Sequence, residues 1–286
     1  MKHRDPIFVC REPVAMPFSP FHLVDGDHAR GLVLLADHAS RDLPADYGTL
    51  GLDAAQFERH IAYDIGVAPL TRKLAAMLGV PAVLGGFSRL LIDPNRGEDD
   101  PTLIMRLSDG AIIPGNNPMP QAERHKRIEG CYRPYHAAVD AAIARAAECS
   151  GAAPLVISIH SFTAFWKATP RPWHAGILWD RDPRAVRPLL AGLRADPLLV
   201  VGDNEPYDGA LRNDTMFKHC VVPGLAHALI EVRQDLIGDD AGTTQWADRL
   251  APILAGMNAT PDMHVRRQYG SRTGAMDGPL PEEAKS

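Results

Sequence analysis

Three short, mostly apolar runs in this sequence each lead into a side chain that can bind a metal or carry a proton. The runs are residues 32–36 before Asp37 and His38, residues 155–159 before His160, and residues 226–230 before Glu231. Apolar runs of about five residues are typical of buried strands. A buried strand that ends in an imidazole or a carboxylate delivers that group to the edge of a sheet, so the three runs constrain both the fold and the chemistry.

Longer amphipathic segments separate the apolar runs, and this alternation favours an α/β fold. The predicted strands are residues 32–36, 80–84, 90–92, 155–159, 175–179, 198–201 and 225–230. The predicted helices are residues 53–79 with a bend or break at Pro69, 121–149 with an interruption near Pro134, 184–193, and 242–257. We expect one domain over residues 1–286, with a mixed, mostly parallel sheet flanked by helices. Residues from about 260 to 286 are predicted to form a polar, disordered tail.

The predicted topology also places the functional site. In open α/β sheets the ligand site lies beyond the carboxyl ends of the strands, and that rule brings His38, His160 and Glu231 together. A loop over about residues 93–120 is rich in Gly, Asn, Asp and Pro. It is longer than a simple connection requires, so we expect it to line or cover the site.

Composition excludes several classes of protein. The 286 residues are 45% hydrophobic, enough for a sizeable core, and the net charge of −5 gives no electrostatic reason to expect nucleic-acid or membrane binding. No apolar stretch approaches the roughly 20 residues that span a bilayer, and the amino terminus lacks the apolar segment of a secretory signal. Four scattered cysteines without a CxxC pair indicate reduced thiols. The expectation is a soluble cytoplasmic protein, with its oligomeric state left open.

His38, His160 and Asp64 are the candidate metal ligands. Zinc hydrolases commonly use three ligands drawn from His and Asp or Glu and leave a position open for water. Asp64 lies in an otherwise apolar, helix-like stretch, where a carboxylate that faces the core needs a partner. Two alternatives remain at this point: a histidine at a strand end often makes only a structural hydrogen bond, and Asp64 could lie on an exposed helix face.

Glu231 is the candidate general base. A metal lowers the pKa of bound water towards about 7, and a carboxylate within hydrogen-bond reach can take the proton and pass it to a leaving nitrogen. The alternative is that Glu231 only pairs with neighbouring Arg233.

Arg89 and Arg96 flank a short apolar run, and Asn95 precedes the second arginine. A guanidinium group pairs with a carboxylate through two parallel hydrogen bonds, which suits a substrate with one or two carboxyl groups. Asp93 is a candidate to hold one guanidinium in place. For either arginine alone, the alternative is a surface salt bridge.

Six segments between about residues 30 and 240 together resemble the N-formylglutamate amidohydrolase family, in the same order. They are residues 37–40 (DHAS), 60–66 (HIAYDIG), 88–96 (SRLLIDPNR), 159–163 (IHSFT), 202–207 (GDNEPY) and 231–237 (EVRQDLI). No one segment is specific, but the ordered set is.

The resemblance implies a phosphorylase/hydrolase-like α/β fold related to the zinc carboxypeptidases. It also implies hydrolysis of N-formyl-L-glutamate to formate and L-glutamate at the end of histidine degradation. By the same similarity, the metal ligands would be His38, Asp64 and His160, the catalytic residues Glu231 and Arg89, and the substrate contacts Arg89, Asn95, Arg96, Ser161 and Arg233.

Three positions depart from the family pattern. Zinc carboxypeptidases take their acidic ligand three residues after the first histidine, and here that residue is Arg41, which cannot bind zinc. Relatives often have Glu where this chain has Asp37. Residues 213–219 also differ from the Gly-Tyr-Thr segment that relatives tend to carry, so a different acyl or side-chain preference is expected if that segment faces the substrate.

The sequence therefore predicts a zinc-dependent (or other divalent-metal) amidohydrolase acting on a small acidic N-acyl amino acid, with N-formyl-L-glutamate the first choice. The alternatives are a carboxypeptidase or amidase acting on another acyl amino acid or a small peptide, and a non-catalytic protein that binds acidic metabolites.

Overall fold

A seven-stranded mixed sheet forms the centre of the structure, a computed structural model that describes residues 18–274. Its strands are β1 (Phe21–Val24), β2 (Leu32–Ala36), β3 (Ala82–Gly85), β4 (Leu155–Phe162), β5 (Ala175–Leu178), β6 (Val201–Asp203) and β7 (His227–Arg233). The strand order is β1-β3-β2-β4-β7-β5-β6, in which β1 runs antiparallel to β3, β5 runs antiparallel to β7, and the other neighbours are parallel. The predicted mixed, mostly parallel sheet is confirmed.

Helices cover both faces of this sheet. They are α1 (Val67–Leu78), α2 (Gln121–Arg127), α3 (Arg133–Ser150), α4 (Val186–Arg194) and α5 (Asp240–Asn258). Alternate residues of β2 belong to opposite cores: Leu34 lies in the core that α1, α4 and α5 cover, and Leu35 lies in the core that α3 covers. Burial on both faces explains why the central strands are continuous apolar runs rather than alternating ones.

The predicted helix over residues 53–79 is correct only in its second half. Residues 54–58 form a 3-10 helix, and turns follow until α1 begins at Val67. Gly66 at the start of α1 has a φ of 82°, a left-handed conformation that separates α1 from the preceding turns. Pro69 lies in the first turn of α1, where the absence of an N–H is tolerated.

The strand predicted at residues 90–92 is wrong. Leu90 and Leu91 lie in a turn, yet both are at most 1% exposed and pack into the core beneath α3. Their apolar character therefore reflects burial and not strand pairing. The long loop that follows contains a small hairpin, Leu107–Ser108 with Ala111–Ile112.

The predicted interruption near Pro134 is a local widening of one helical run. A π-helical turn, Ile128–Tyr132, joins α2 to α3, and Pro134 sits in the first turn of α3. Such π-turns are frequent at functional sites.

The chain beyond α5 is described only to residue 274. In that part Met263 is buried and Arg272 donates hydrogen bonds to Asp180 and Asp208. Residues 275–286 of the predicted tail, and residues 1–17 with Cys10, lie outside the described residues. None of the helices within residues 18–274 is both long and apolar enough to cross a membrane.

The sheet order sets β2, β4 and β7 side by side, all running in the same direction. Glu231 on β7 is the register partner of His160 on β4, and His38 follows the neighbouring strand β2. The three groups predicted at strand ends therefore lie at one edge of the sheet.

Gly66 lies between Asp64 and the start of α1, and we expect Gly66→Ala to destabilise the protein. An added Cβ would lie 2.1 Å from the carbonyl oxygen of Ile237, and an alanine would be strained at φ 82°. The expected loss in the free energy of unfolding is about 2–4 kcal/mol, measured by urea denaturation.

The matched control is Gly256→Ala on the exposed side of α5, where no atom lies within 4 Å of an added Cβ. This change should be neutral or stabilise by up to about 1 kcal/mol. Equal urea midpoints for the two variants would contradict the account of Gly66.

Candidate active site

The two strand-end histidines and Asp64 converge at the carboxyl edge of the sheet. The Nδ1 atom of His160 lies 3.0 Å from Oδ2 of Asp64, and the Nδ1 atom of His38 lies 3.5 Å from the same oxygen. One ligand atom from each of the three residues falls within 4.8 Å of the others, and all three side chains are buried. The grouping predicted from the sequence is present in the structure.

Asp64 reaches this position from the turns that precede α1, not from a helix. Its backbone N–H donates to the carbonyl of His38, and its carboxylate accepts a hydrogen bond from the backbone N–H of Ser161. The residue is 2% exposed. The alternative in which Asp64 lies on an exposed helix face is therefore wrong.

The second nitrogen of each histidine faces a buried carboxylate. Nε2 of His38 lies 2.7 Å from Asp93, and Nε2 of His160 lies 2.8 Å from Asp37. A carboxylate accepts, so each Nε2 carries the hydrogen, and in the neutral imidazole Nδ1 then carries the lone pair. Burial lowers the pKa of His38 to about 4, so its ring is neutral at physiological pH.

Three electron-pair acceptors consequently point at one another. Among residues 18–274, Nδ1 of His38 has no hydrogen-bond partner, and Nδ1 of His160 faces an acceptor, the carboxylate of Asp64. Acceptors held together in a buried site repel one another unless a cation lies between them. Two imidazole nitrogens and one carboxylate are a donor set suited to a divalent metal ion, and the paired carboxylates would orient the rings.

Asp37 is a hub of hydrogen bonds behind the site. Besides His160, it accepts from the hydroxyl groups of Tyr135 on α3, Ser158 on β4 and Thr215. Burial alone would raise the pKa of Asp37, but the hydrogen bonds from His160 and Thr215 and the neighbouring imidazoles hold that pKa well below its usual range. Asp37 is therefore an ionised carboxylate that fixes His160 in place.

Asp93 plays the same part for His38. The expectation that Asp93 holds a guanidinium by a direct bond is corrected, because its Oδ1 accepts from His38 and from the backbone N–H of Asn95. Burial would raise the pKa of Asp93, while His38, Arg96 and Arg89 together keep it well below its usual range. The arginines act on Asp93 only through their nearby charge.

Glu231 is 6% exposed, and its Oε2 atom has no hydrogen-bond partner among the described residues. Burial raises the pKa of Glu231, and the neighbouring His160, Arg89 and His38 side chains oppose that rise. Arg233 pairs with Asp235 at 2.8 Å. The alternative in which Glu231 pairs with Arg233 is not what the structure shows, and the Glu231 carboxylate is available for chemistry.

The residues predicted to contact the substrate also contact other groups of the protein. Arg89 contacts the carboxylate of Asp64. The side-chain oxygen of Asn95 accepts from the backbone N–H of Thr215, and a guanidinium nitrogen of Arg96 donates to the carbonyl of Asn95. The hydroxyl of Ser161 donates to the carbonyl of Ile65, next to Asp64.

The loop that carries Asn95 and Arg96 is anchored to the helical run behind it. Tyr132, at the end of the π-turn, donates its hydroxyl hydrogen to the carbonyl of Arg96. His136 contacts the carbonyl of Pro94 through Nε2 at 3.1 Å. The π-turn and the start of α3 therefore supply the side chains that hold this loop in place.

Sequence reasoning missed four residues of the site. The roles of Asp37 and Thr215 were not assigned, although Asp37 directly precedes His38. His60, whose Nδ1 lies 3.6 Å from Asp64, begins the segment 60–66, but the sequence pattern assigns it no role at the site. Arg171 carries no local sequence signal, because the loop before it contains no recognisable motif.

The fold and the site define an amidohydrolase whose buried His-Asp-His group can hold a metal ion. Residues 30–238 match the sequence profile of the N-formylglutamate amidohydrolase family, and the chain belongs to that family. Its members are hydrolases that act on amide bonds, and the resemblance found in the sequence is confirmed.

Two solved structures are similar to this chain. A gene product of Agrobacterium tumefaciens is 31% identical with a TM-score of 0.78, and the match covers 85% of this chain and 96% of that one. An N-formylglutamate amidohydrolase of Ralstonia eutropha JMP134 is 24% identical with a TM-score of 0.65, covering 84% and 97%, and at that identity it supports the fold alone. No curated protein sequence matches the chain significantly.

Replacement of Asp37 tests its role as the hub. Asp37→Asn removes the charge and turns one acceptor into a donor that faces other donors, so we expect the free energy of unfolding to fall by about 2–4 kcal/mol. Urea denaturation provides the measurement. Asp53→Asn, at an exposed position where the side chain makes no capping hydrogen bond, is the control and should change little. An unchanged midpoint for Asp37→Asn would exclude the hub.

Proposed function

We propose that this protein is a zinc-dependent amidohydrolase that cleaves N-formyl-L-glutamate to formate and L-glutamate. One observation carries the proposal: the acceptor atoms of His38, His160 and Asp64 converge beside Glu231, a buried carboxylate with an unpaired oxygen. Membership of the N-formylglutamate amidohydrolase family supports the choice of reaction.

In this proposal the zinc ion is held by Nδ1 of His38, Nδ1 of His160 and the carboxylate of Asp64. Asp93 and Asp37 keep the two rings in the tautomer that presents Nδ1. When bound, zinc supplies a Lewis acid that polarises the acyl carbonyl and lowers the pKa of a water molecule.

Glu231 serves as the general base and then as the general acid. Its unpaired Oε2 takes a proton from the attacking water and then delivers that proton to the nitrogen of the leaving glutamate. The burial that raises the pKa of Glu231 makes its carboxylate a stronger proton acceptor. The positive charges around it keep the ionised form accessible.

Arg89, Asn95 and Arg96 take part in binding the carboxyl groups of the substrate, and Arg89 also lies close enough to Asp64 to assist at the scissile carbonyl. Ser161 donates hydrogen bonds to the carboxylate of Asp64 and to the carbonyl of Ile65. In addition to contacting the substrate, Ser161 would therefore hold Asp64 in position. Arg233 is the proposed contact whose guanidinium is already paired, because it donates to the carboxylate of Asp235.

The residues that depart from the family pattern fit this function. Within residues 213–219, Thr215 donates to Asp37 and to Asn95, so this part of the segment supports the ligands from behind. That location favours a preserved preference for the formylated substrate. We place the reaction at the end of histidine degradation in the cytoplasm, a location that suits the three unpaired cysteines found within residues 18–274.

Metal content tests the proposed ligands. Purified wild-type protein should contain about one zinc ion per chain by elemental analysis, as expected for a single three-ligand site. His160→Ala should lose most of this zinc, and Asp93→Asn should bind it about 10- to 100-fold more weakly. His125→Ala, at an exposed position on α2, is the control and should retain zinc. Full zinc content in His160→Ala would exclude the assigned site.

Formate release tests the reaction and its base. The wild-type protein should release formate from N-formyl-L-glutamate, and Glu231→Gln should lower kcat by about 10²- to 10⁴-fold while zinc content is unchanged. Glu148→Gln, on the exposed side of α3, is the matched control and should keep full activity. Full turnover by Glu231→Gln would remove this residue from its role.

A panel of formyl, acetyl and succinyl amino acids belongs to the same experiment. A clear advantage for formylglutamate supports the proposal. Preference for another acyl group or for a small peptide would point instead to a different amidase or a carboxypeptidase, and binding without turnover would indicate a non-catalytic protein.

A further inference from the structure

Arg171 is a buried cation that has no carboxylate partner within the described residues 18–274. Three arginines in the described part of the chain are less than 9% exposed: Arg127, Arg171 and Arg184. Arg127 pairs with Glu123, and Arg184 pairs with Asp182. No Asp or Glu among residues 18–274 makes an ion pair with Arg171, which is 8% exposed. The comparison shows that this fold otherwise neutralises its buried guanidinium groups.

The hydrogen-bond acceptors and aromatic rings that contact the Arg171 guanidinium directly are neutral. One guanidinium nitrogen donates to the carbonyl and the hydroxyl of Thr163, at 3.2 and 3.0 Å. The guanidinium carbon lies 5.0 Å from the ring centre of Tyr207, 5.6 Å from that of Trp166 and 5.7 Å from that of Phe162. Aromatic faces attract a cation, but they do not neutralise it. Arginine remains protonated in proteins, so loss of a proton cannot remove the buried charge.

Arg171 also lies at the candidate active site. It follows the small hairpin Phe165–Trp166 with Thr169–Pro170, and it bonds to Thr163, three residues after His160. Burial raises the pKa of Glu231, and the charge of Arg171 is among those that oppose the rise. Tyr207, packed on the guanidinium, lies within the influence of both Glu231 and Arg89. Arg171 therefore lies at the carboxyl end of β4, close enough to the proposed base for its charge to act on it.

We propose that Arg171 binds one of the two carboxylates of the substrate, while the loop with Arg89, Asn95 and Arg96 binds the other. That loop follows β3 and Arg171 follows β4, the two strands on either side of β2. A dicarboxylate would thus be held from both sides of His38. The inference rests on the proposed function, because it takes the substrate to be an N-acylated acidic amino acid.

The aromatic surroundings explain why this arginine would discriminate strongly. The rings of Trp166 and Tyr207 separate the guanidinium from much of the solvent, and an ion pair is stronger where water is excluded. A neutral amide in place of the carboxylate would leave the buried charge unmatched. Arg171 is therefore expected to select for charge, not only for size.

The test compares three substrates in wild-type protein and Arg171→Met. The substrates are N-formyl-L-glutamate, N-formyl-L-glutamine, which lacks the side-chain carboxylate, and N-formyl-L-isoglutamine, which lacks the α-carboxylate. In the wild type each amide should lower kcat/KM by about 10- to 100-fold. In Arg171→Met one of these two penalties should vanish while the other persists, and the penalty that vanishes identifies the carboxylate.

Arg72→Met, on the exposed side of α1, is the matched control and should preserve both penalties. Both penalties persisting in full in Arg171→Met would overturn the proposal. If that variant does not fold, Arg171→Lys decides: lysine keeps the charge but not the paired hydrogen bonds, so one penalty should shrink about tenfold. Unchanged penalties in the lysine variant would also overturn the proposal.

Binding measurements separate this proposal from the proposed reaction. Calorimetric titration with L-glutamate, L-glutamine and L-isoglutamine requires no turnover. A wild-type protein that releases no formate contradicts the reaction, yet loss of one binding preference in Arg171→Met would still support carboxylate recognition. Equal preferences in both proteins would overturn it whether or not formate is released.

Discussion

The hydrogen bonds from Nε2 of His38 to Asp93 and from Nε2 of His160 to Asp37 are the interactions on which the rest of the site depends. They fix which nitrogen of each ring keeps its lone pair, and so they turn both Nδ1 atoms towards Asp64. Asp37 also accepts hydrogen bonds from a hydroxyl group on α3 and from another on β4. The arrangement of the site is therefore tied to the packing of the sheet against its helices.

The site balances buried negative charge with cations of different kinds. Asp37 and Asp93 are matched by hydrogen bonds and nearby positive charge, and Asp64 contacts Arg89 while also facing the two imidazoles. Glu231 has one oxygen without a partner in the described residues, and Arg171 has no carboxylate partner there. In the two proposals the attacking water would pair with Glu231 and an acidic substrate would pair with Arg171, which is why both proposals rest on charge as well as on shape.

The sequence predicted the strands near the site better than the path between them. Residues 32–36 were identified because a strand buried on both faces must be apolar throughout. The apolar spacing of residues 53–66 predicts an α-helix where the structure has a 3-10 helix and turns, because spacing alone does not distinguish them. Asp64 was nevertheless grouped with the histidines, since a carboxylate in an apolar stretch needs a partner wherever the backbone places it.

By itself the sequence determined the mixed sheet, the family and the three residues that converge at the sheet edge, because strand-end residues and ordered motifs are local signals. Only the tertiary structure decided that Asp93 serves His38 and not an arginine, and that Arg171 lies near the site with no carboxylate partner in the described part of the chain. Those facts depend on contacts between segments far apart in the chain. Whether a buried charge has a partner of opposite charge depends on the groups around it in space. The residues next to it in the sequence do not reveal those groups.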